Sequence, residues 1–216
     1  ITNCGHFVDL RLPEKYLRRP ISVCAYDETT LTLIYKVVGS GTEIMAALPV
    51  GTKLDVLTGL GNGYDTEKSG DSPLLIGGGV GVPPMYELAK RLIAMGKEVK
   101  VVLGFNTKSE LFYENEFKAL GAKVYVSTVD GSYGTKGFVT DVLKDLEYYY
   151  FFTCGPMPMF KAIEAMATTS GQYSFEERMG CGFGACMGCS CKTVTGYKRI
   201  CKDGPVLKKE EILWAD

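Results

Sequence analysis

Five of the eight cysteines in this 216-residue chain, Cys181, Cys186, Cys189, Cys191 and Cys201, fall between positions 181 and 201. Thiolates gathered that tightly can bind a metal centre or form disulfides. A disulfide framework suits a small secreted domain, whereas this chain is larger and opens without a signal-peptide pattern. A metal centre in a reducing compartment is therefore the expectation. Cys181-Gly-Phe-Gly-Ala-Cys186-Met-Gly-Cys189 has the C-x4-C-x2-C spacing of a [2Fe–2S] site. The rival is a structural zinc on four thiolates, which normally uses shorter pairs with the second pair far away. Cys191 and Cys201 compete to be the fourth ligand. Cys191 is separated from Cys189 by one residue, so on an extended backbone both would point the same way and crowd one iron. Cys201 follows a glycine turn and Tyr197-Lys-Arg-Ile200 and can approach from across the cluster, so Cys201 is the expected ligand. Gly182, Gly184 and Gly188 make room for sulfides and allow N–H···S contacts, which tune potential. Cys4, Cys24 and Cys191 read as small buried apolar residues.

A second constellation could cradle a phosphate. Leu74-Leu75-Ile76 reads as a buried strand, followed by Gly77-Gly78-Gly79-Val80-Gly81-Val82-Pro83-Pro84 and then a helix. Glycine lets the backbone approach a pyrophosphate, and proline at a helix start leaves the remaining N–H donors directed at the anion. The loop after the first strand of an α/β unit is where a dinucleotide binds. The spacing is not a clean G-x-G-x-x-G, because Pro84 takes the last position, and the alternative is a tight strand–helix turn with no ligand. Cys154-Gly155-Pro156-Met157 closes a later strand, at the sheet edge where ligands of open α/β sheets bind. Read alone, a glycine-proline turn with two core methionines is the better reading. Residues 104–109 carry one Lys and no Arg, and a 2′-phosphate favours arginine, so NAD is expected over NADP.

A third group is a flavin candidate. Arg19 of Arg19-Pro20-Ile21-Ser22 can pair with a phosphate, and Ser22 can hydrogen-bond a flavin nitrogen. Ile34-Tyr35-Lys36 could supply ring contacts, and Gly41-Thr42 backbone donors for a pyrophosphate. Alone, these read as a solvated charge and core residues. Redox chemistry argues more strongly. A nicotinamide delivers two electrons as hydride and a [2Fe–2S] cluster accepts one, so a chain holding both needs a converter, for which FAD is expected. His6, the only histidine, reads as structural, and Trp214 as an ordinary core residue.

These residues need elements to hold them. Apolar residues make up 46% and charged ones 23%, which excludes a disordered chain. A net charge of −1 gives no field for nucleic acid, and the longest weakly polar run, 74–85, is too short and interrupted to span a membrane. Residues 1–65 read as short strands at Gly5–Leu12, Ile21–Tyr26, Leu31–Val38 and Leu54–Thr58, with one helical turn at Glu43–Leu48. Four strands suit a small barrel, and a further strand upstream of Ile1 is one way to close it. After a linker at 69–73, strands alternate with helices at 84–94, 110–120, 138–146 and 157–168, which predicts a parallel sheet with helices on both faces. The expected fold is multi-domain β plus α/β: a flavin-binding antiparallel β-barrel (1–68), a nucleotide-binding α/β domain (69–175) and an iron–sulfur lobe (176–216).

Taken together the motifs resemble the ferredoxin–NADP reductase superfamily. Within it, Arg19–Ser22, Gly77–Gly81, Cys154–Met159, Glu177–Cys189 and the tail Tyr197–Val206 are similar to the electron-transfer subunits of dihydroorotate dehydrogenase B, in that family's order. The resemblance implies FAD in the barrel, held by Arg19, Pro20, Ile21, Ser22, Ile34, Tyr35, Lys36, Gly41 and Thr42. It implies NAD on Gly77, Gly78, Gly79, Gly81 and Cys154–Met157, with Cys154 near the nicotinamide. It implies a cluster on Cys181, Cys186, Cys189 and Cys201. The implied partner is an FMN-containing catalytic subunit that oxidises dihydroorotate in the cytoplasm, in an assembly of two plus two. The family's first barrel strand lies upstream of Ile1, and its segment corresponding to Val37–Thr42 is longer. Two other readings keep part of the pattern: a reductase component serving a different redox partner, and a zinc-stabilised adaptor without redox activity.

Overall fold

The computed structural model describes residues 1–214. Near the N-terminus, β1 (Phe7–Arg11), β2 (Arg19–Tyr26), β3 (Leu31–Leu33) and β4 (Asp55–Leu60) form an antiparallel barrel sheet in the order β3-β2-β1-β4, with helix α1 (Ser40–Ala47) between β3 and β4. The two-residue period of β1 divides its side chains. Val8 and Leu10 pack inward with Leu12, Val23 and Met45. Phe7, on the opposite face, packs with Cys189, Ile200 and Cys201. One strand therefore serves two cores.

The second unit runs β5 (Pro73–Gly78), α2 (Val82–Ala94), β6 (Lys100–Phe105), α3 (Glu114–Ala119), β7 (Lys123–Thr128), β8 (Thr135–Lys136), α4 (Val139–Leu143), β9 (Tyr150–Cys154), α5 (Met157–Met166) and β10 (Gly171–Ser174). The C-terminal region adds a hairpin, β11 (Ser190–Thr193) and β12 (Gly196–Arg199), and a final strand, β13 (Val206–Lys208). The sheet order is β13-β10-β9-β5-β6-β7-β8, parallel except for β13. Central β5 is buried throughout. Its Leu75 packs with Met85 and Leu88 of α2 and Phe117 of α3, while Leu74 and Ile76 pack with Val142 of α4 and Ile163 of α5. Helices thus cover both faces, as the alternation predicts.

Several boundaries differ from the sequence-based expectation. The strand expected over 5–12 starts at Phe7, which leaves His6 just outside it. His6 is buried, Nδ1 has no hydrogen-bond partner among the described residues, and burial pushes its pKa down. The strand expected over 31–38 stops at Leu33, where the β2–β3 register slips, so Ile34-Tyr35-Lys36 leaves the ladder. The turn expected at 43–48 is an eight-residue helix, because Thr42 Oγ1 accepts from the Val38 and Gly39 N–H groups at its start. The helix expected over 110–120 shortens to α3, since the Glu110 carboxylate folds back onto the Asn106 N–H and side-chain amide. The helices expected over 138–146 and 157–168 shorten to α4 and α5. Strand β10 escapes the pattern because buried Gln172 looks like a loop residue. Its amide donates to Asp65 O and the Tyr150 hydroxyl, and its carbonyl accepts from Asp65 N–H. Trp214 packs on Tyr173 and Phe175, as a core residue would. Among the described residues, no helix is long and apolar enough to cross a membrane.

Candidate redox centre

The chain order reverses beside β5, whose neighbours are β6 and β9, so a crevice opens at the C-terminal ends of β5 and β9. The loop Gly77–Gly81 and the segment Cys154–Met157 meet there. A Cβ on Gly81 would collide with the Cys154 carbonyl and lie 2.7 Å from Gly155 N. One on Gly77 would lie 2.8 Å from Val82 Cα, and one on Gly78 2.7 Å from Met159 Sδ. These glycines bring the two loops together. Gly79 differs: its φ is +51° and free space surrounds its Cβ position, so its backbone is open to a ligand. Helix α2 starts at Val82, two residues before the expected position 84, with Pro83 and Pro84 in its first turn. An adjoining cleft of about 330 Å³ is lined by Gly155, Pro156, Met157 and Phe160 with residues 176–178. The Cys154 thiol turns inward to Ser174, and burial, aided by the Glu176 charge, pushes its pKa up to about 12. At pH 8 it therefore stays protonated. Iodoacetamide is expected to alkylate Cys154 at least ~100-fold more slowly than free cysteine, followed by peptide mass mapping.

In the first unit, the Arg19 guanidinium lies against the first turn of α1. A Cβ on Gly41 would sit 2.9 Å from Arg19 Cζ. Lys15 Nζ donates to Ser40 Oγ at 2.9 Å on the same turn. Two cations at a helix N-terminus suit a phosphate. Pro20, Ile21 and Ser22 lie on β2 opposite Asp9, Val8 and Phe7. Thr42 caps its own helix, donating to Gly39 O at 2.9 Å. Ile21 and Tyr35 pack on one apolar cluster. Ile34 is half-buried, and Lys36 turns away to pair with Glu110 at 3.5 Å.

The third site is the cysteine loop. Backbone N–H groups are directed at its sulfurs: Ala185 and Cys186 donate to Cys181 Sγ at 3.2 and 3.4 Å, Gly188 to Cys186 Sγ at 3.4 Å, and Cys201 to Cys189 Sγ at 3.3 Å. The hairpin β11–β12 carries the chain from Cys189 back to Cys201. Cys191 sits in that hairpin opposite Lys198, and burial followed by the Glu177 charge raises its pKa. Burial pushes the Cys181 thiol up, but N–H groups from Cys186, Phe183 and Ala185 outweigh it and hold it at about 6. Cys201 is pushed up to about 12 by burial and then by neighbouring Cys189. The N–H donors stabilise negative charge on these sulfurs, as a thiolate-ligated cationic core requires, so the donor set fits an iron–sulfur cluster. Among the described residues, no three such side chains converge as a cage for one ion. A two-iron core instead spreads four thiolates over two metals. Cys189 and Cys201 are buried and Cys186 is exposed, flanked by Phe183 and Met187, both more than half exposed.

Two positioning elements escape the sequence reading. Asn62 clamps the barrel sheet to the C-terminal segment: its side chain donates to Asp203 O and Val206 O and accepts from Val206 N–H. Arg199 forks onto Asp203. An Asn between two glycines reads as a turn, whereas the Arg-x-x-x-Asp spacing was a visible pairing signal.

Comparison with known proteins gives consistent matches. Residues 176–213 match the iron–sulfur cluster binding domain of dihydroorotate dehydrogenase B, and residues 75–165 an oxidoreductase NAD-binding domain. The chain is 46% identical to the dihydroorotate dehydrogenase B (NAD(+)) electron transfer subunit of Fusobacterium nucleatum, over 96% of this chain and 86% of that one. It is 47% identical to that of a Geobacillus species, over 97% and 86%. Among solved structures, an NADH-dependent reduced ferredoxin-NADP oxidoreductase matches with a TM-score of 0.89 at 32% identity, over 99% of this chain and 80% of that one.

Proposed function

The chain belongs to the electron-transfer subunits of dihydroorotate dehydrogenase B, and from that premise we propose that it passes electrons from the FMN of a dihydroorotate-oxidising catalytic subunit to NAD⁺, in a cytoplasmic assembly of two plus two. The observation that carries this reading is Phe7. It lies on β1 of the barrel sheet and shares one apolar cluster with Cys189 and Cys201. The cysteine site and the sheet bearing Arg19 are therefore in contact.

Three units divide the work, at 1–68, 69–175 and 176–216. Arg19 and the first turn of α1, with Gly41 and Thr42, would hold the FAD pyrophosphate, and Pro20–Ser22 with Ile34, Tyr35 and the backbone of Lys36 would border the ring. Gly77, Gly78, Gly79 and Gly81 would hold the NAD pyrophosphate, with Cys154–Met157 beside the nicotinamide. Cys181, Cys186, Cys189 and Cys201 would ligate the cluster. When bound, the flavin supplies hydride exchange with nicotinamide and single-electron exchange with the cluster. The protein keeps water from Cys189 and Cys201 and presents Cys186, Phe183 and Met187 outward, an apolar edge suited to a partner. The remaining cysteines, Cys4, Cys24, Cys154 and Cys191, are free thiols, which suits a reducing compartment.

The test is an absorbance spectrum of the protein purified with whatever binds it, before and after NADH. Flavin bands and a broad iron–sulfur shoulder that bleach together, with a co-purified dihydroorotate-oxidising chain, are the expected result. A colourless zinc protein would overturn the reading. The likeness to a bifurcating oxidoreductase favours a second reading, a reductase component of another complex. A co-purified chain inactive on dihydroorotate would select it.

A further inference from the structure

We infer that the Arg199–Asp203 pair is a positioning device that fixes the cysteine loop and sets the reduction potential of the cluster held there. The inference rests on the reading of Cys181, Cys186, Cys189 and Cys201 as [2Fe–2S] ligands. Its core is one peptide unit. The carbonyl of Gly184 accepts from Arg199 Nη1 at 2.9 Å. The N–H of that same Gly184–Ala185 peptide donates to Cys181 Sγ at 3.2 Å. The amide plane is thus held at both ends, by a guanidinium on its oxygen and a ligand sulfur on its hydrogen. A cation on the oxygen polarises the amide and makes its N–H a stronger donor to sulfur.

The other edge of Arg199 is equally fixed. Nε and Nη2 donate to Asp203 Oδ2 and Oδ1 at 2.8 and 3.1 Å, and the Arg199 backbone N–H donates to Asp203 Oδ2 at 2.9 Å. The Arg199 carbonyl accepts from the N–H groups of Lys202, Asp203 and Gly204. These bonds close the turn that contains Cys201. One side chain therefore ties the loop of Cys181 to the turn of Cys201, and its charge lies within electrostatic reach of Cys189 and Cys201. The two side chains are only 26% and 33% exposed, so solvent screens them incompletely. A lysine could keep the charge but not the fork.

Reduction adds negative charge to the cluster. A guanidinium and an N–H···S bond favour the reduced form, and the Asp203 carboxylate opposes it. The two members of the pair therefore act with opposite sign. The experiment compares Arg199→Gln, Arg199→Lys and Asp203→Asn with wild type, each purified in complex with its partner. Iron per protomer and flavin absorbance are measured, and the cluster's paramagnetic resonance signal is titrated against potential. Arg199→Gln is expected to shift the midpoint down, Asp203→Asn to shift it up, and Arg199→Lys to fall between wild type and Arg199→Gln, with flavin content unchanged. If Arg199→Gln fails to retain iron, Asp203→Asn and Arg199→Lys still carry opposite expected signs. Wild-type potentials in the variants, or shifts of one sign for Arg199→Lys and Asp203→Asn, would overturn the inference. A wild-type complex without an iron–sulfur signal would instead remove the ligand reading beneath it.

Discussion

Cys186→Ser is expected to lose dihydroorotate-linked NAD⁺ reduction by more than ~100-fold, while NADH oxidation by ferricyanide persists. The lower bound follows from metal sites generally, where even residues that merely orient a ligand are worth roughly 10–100-fold. Loss of a ligand exceeds that. Cys186 is exposed, and its sulfur accepts from the Gly188 N–H at 3.4 Å, so the substitution removes little packing. The two assays separate the sites. Ferricyanide takes electrons one at a time from a reduced flavin and needs only the first two units. Steady-state rates in both assays, with iron content, decide the matter. Coupled turnover surviving in an iron-free variant would mean that electrons bypass the cysteine loop.

Gly81→Ala carries the second large effect, through the nucleotide crevice. The added methyl meets the Cys154 carbonyl and Gly155 N, which are backbone atoms and cannot rotate aside. Overpacking of this kind costs about 1–3 kcal/mol. Relief requires the start of α2 to part from the end of β9. That movement would displace the phosphate-facing N–H groups relative to Cys154–Met157, and about 1 Å of misplacement can cost ~10²-fold in rate. NADH oxidation is expected to fall by that order, with a raised KM and a lowered Tm, while the flavin and iron–sulfur absorbances remain. Gly79→Ala is the informative companion. Its methyl meets no protein atom, so its cost to stability is limited to the strain of a positive φ. An equal fall in Tm in both variants would argue against loop-to-loop contact as the cause.

The chemistry was more legible in the sequence than the joints between its parts. Cysteine spacing and the glycine loop are local signals, and β5 with α2 is a strong strand–turn–helix pattern. Arg19 and Gly41 lie together at the start of α1, although β3 ends before Ile34. The joints were hidden because they depend on polar residues whose partners are distant in sequence. Gln172 reads as loop until the Asp65 backbone satisfies its amide, and Asn62 reads as turn until Val206 arrives. Glycine's role was legible only in part. Gly81 is required by the neighbouring loop as much as by any ligand.

The pairing of β13 with β10 has a consequence for biosynthesis. Strand β10 lies at the margin of the parallel sheet until β13 covers it. On the ribosome, β13 emerges after the whole cysteine loop has been made. During that interval the nascent sheet presents an uncovered strand, the kind of edge that invites wrong pairing. The same late segment brings Cys201 and the partners of Asn62, so edge protection, docking against the barrel sheet and completion of the thiolate set arrive within one short stretch of translation.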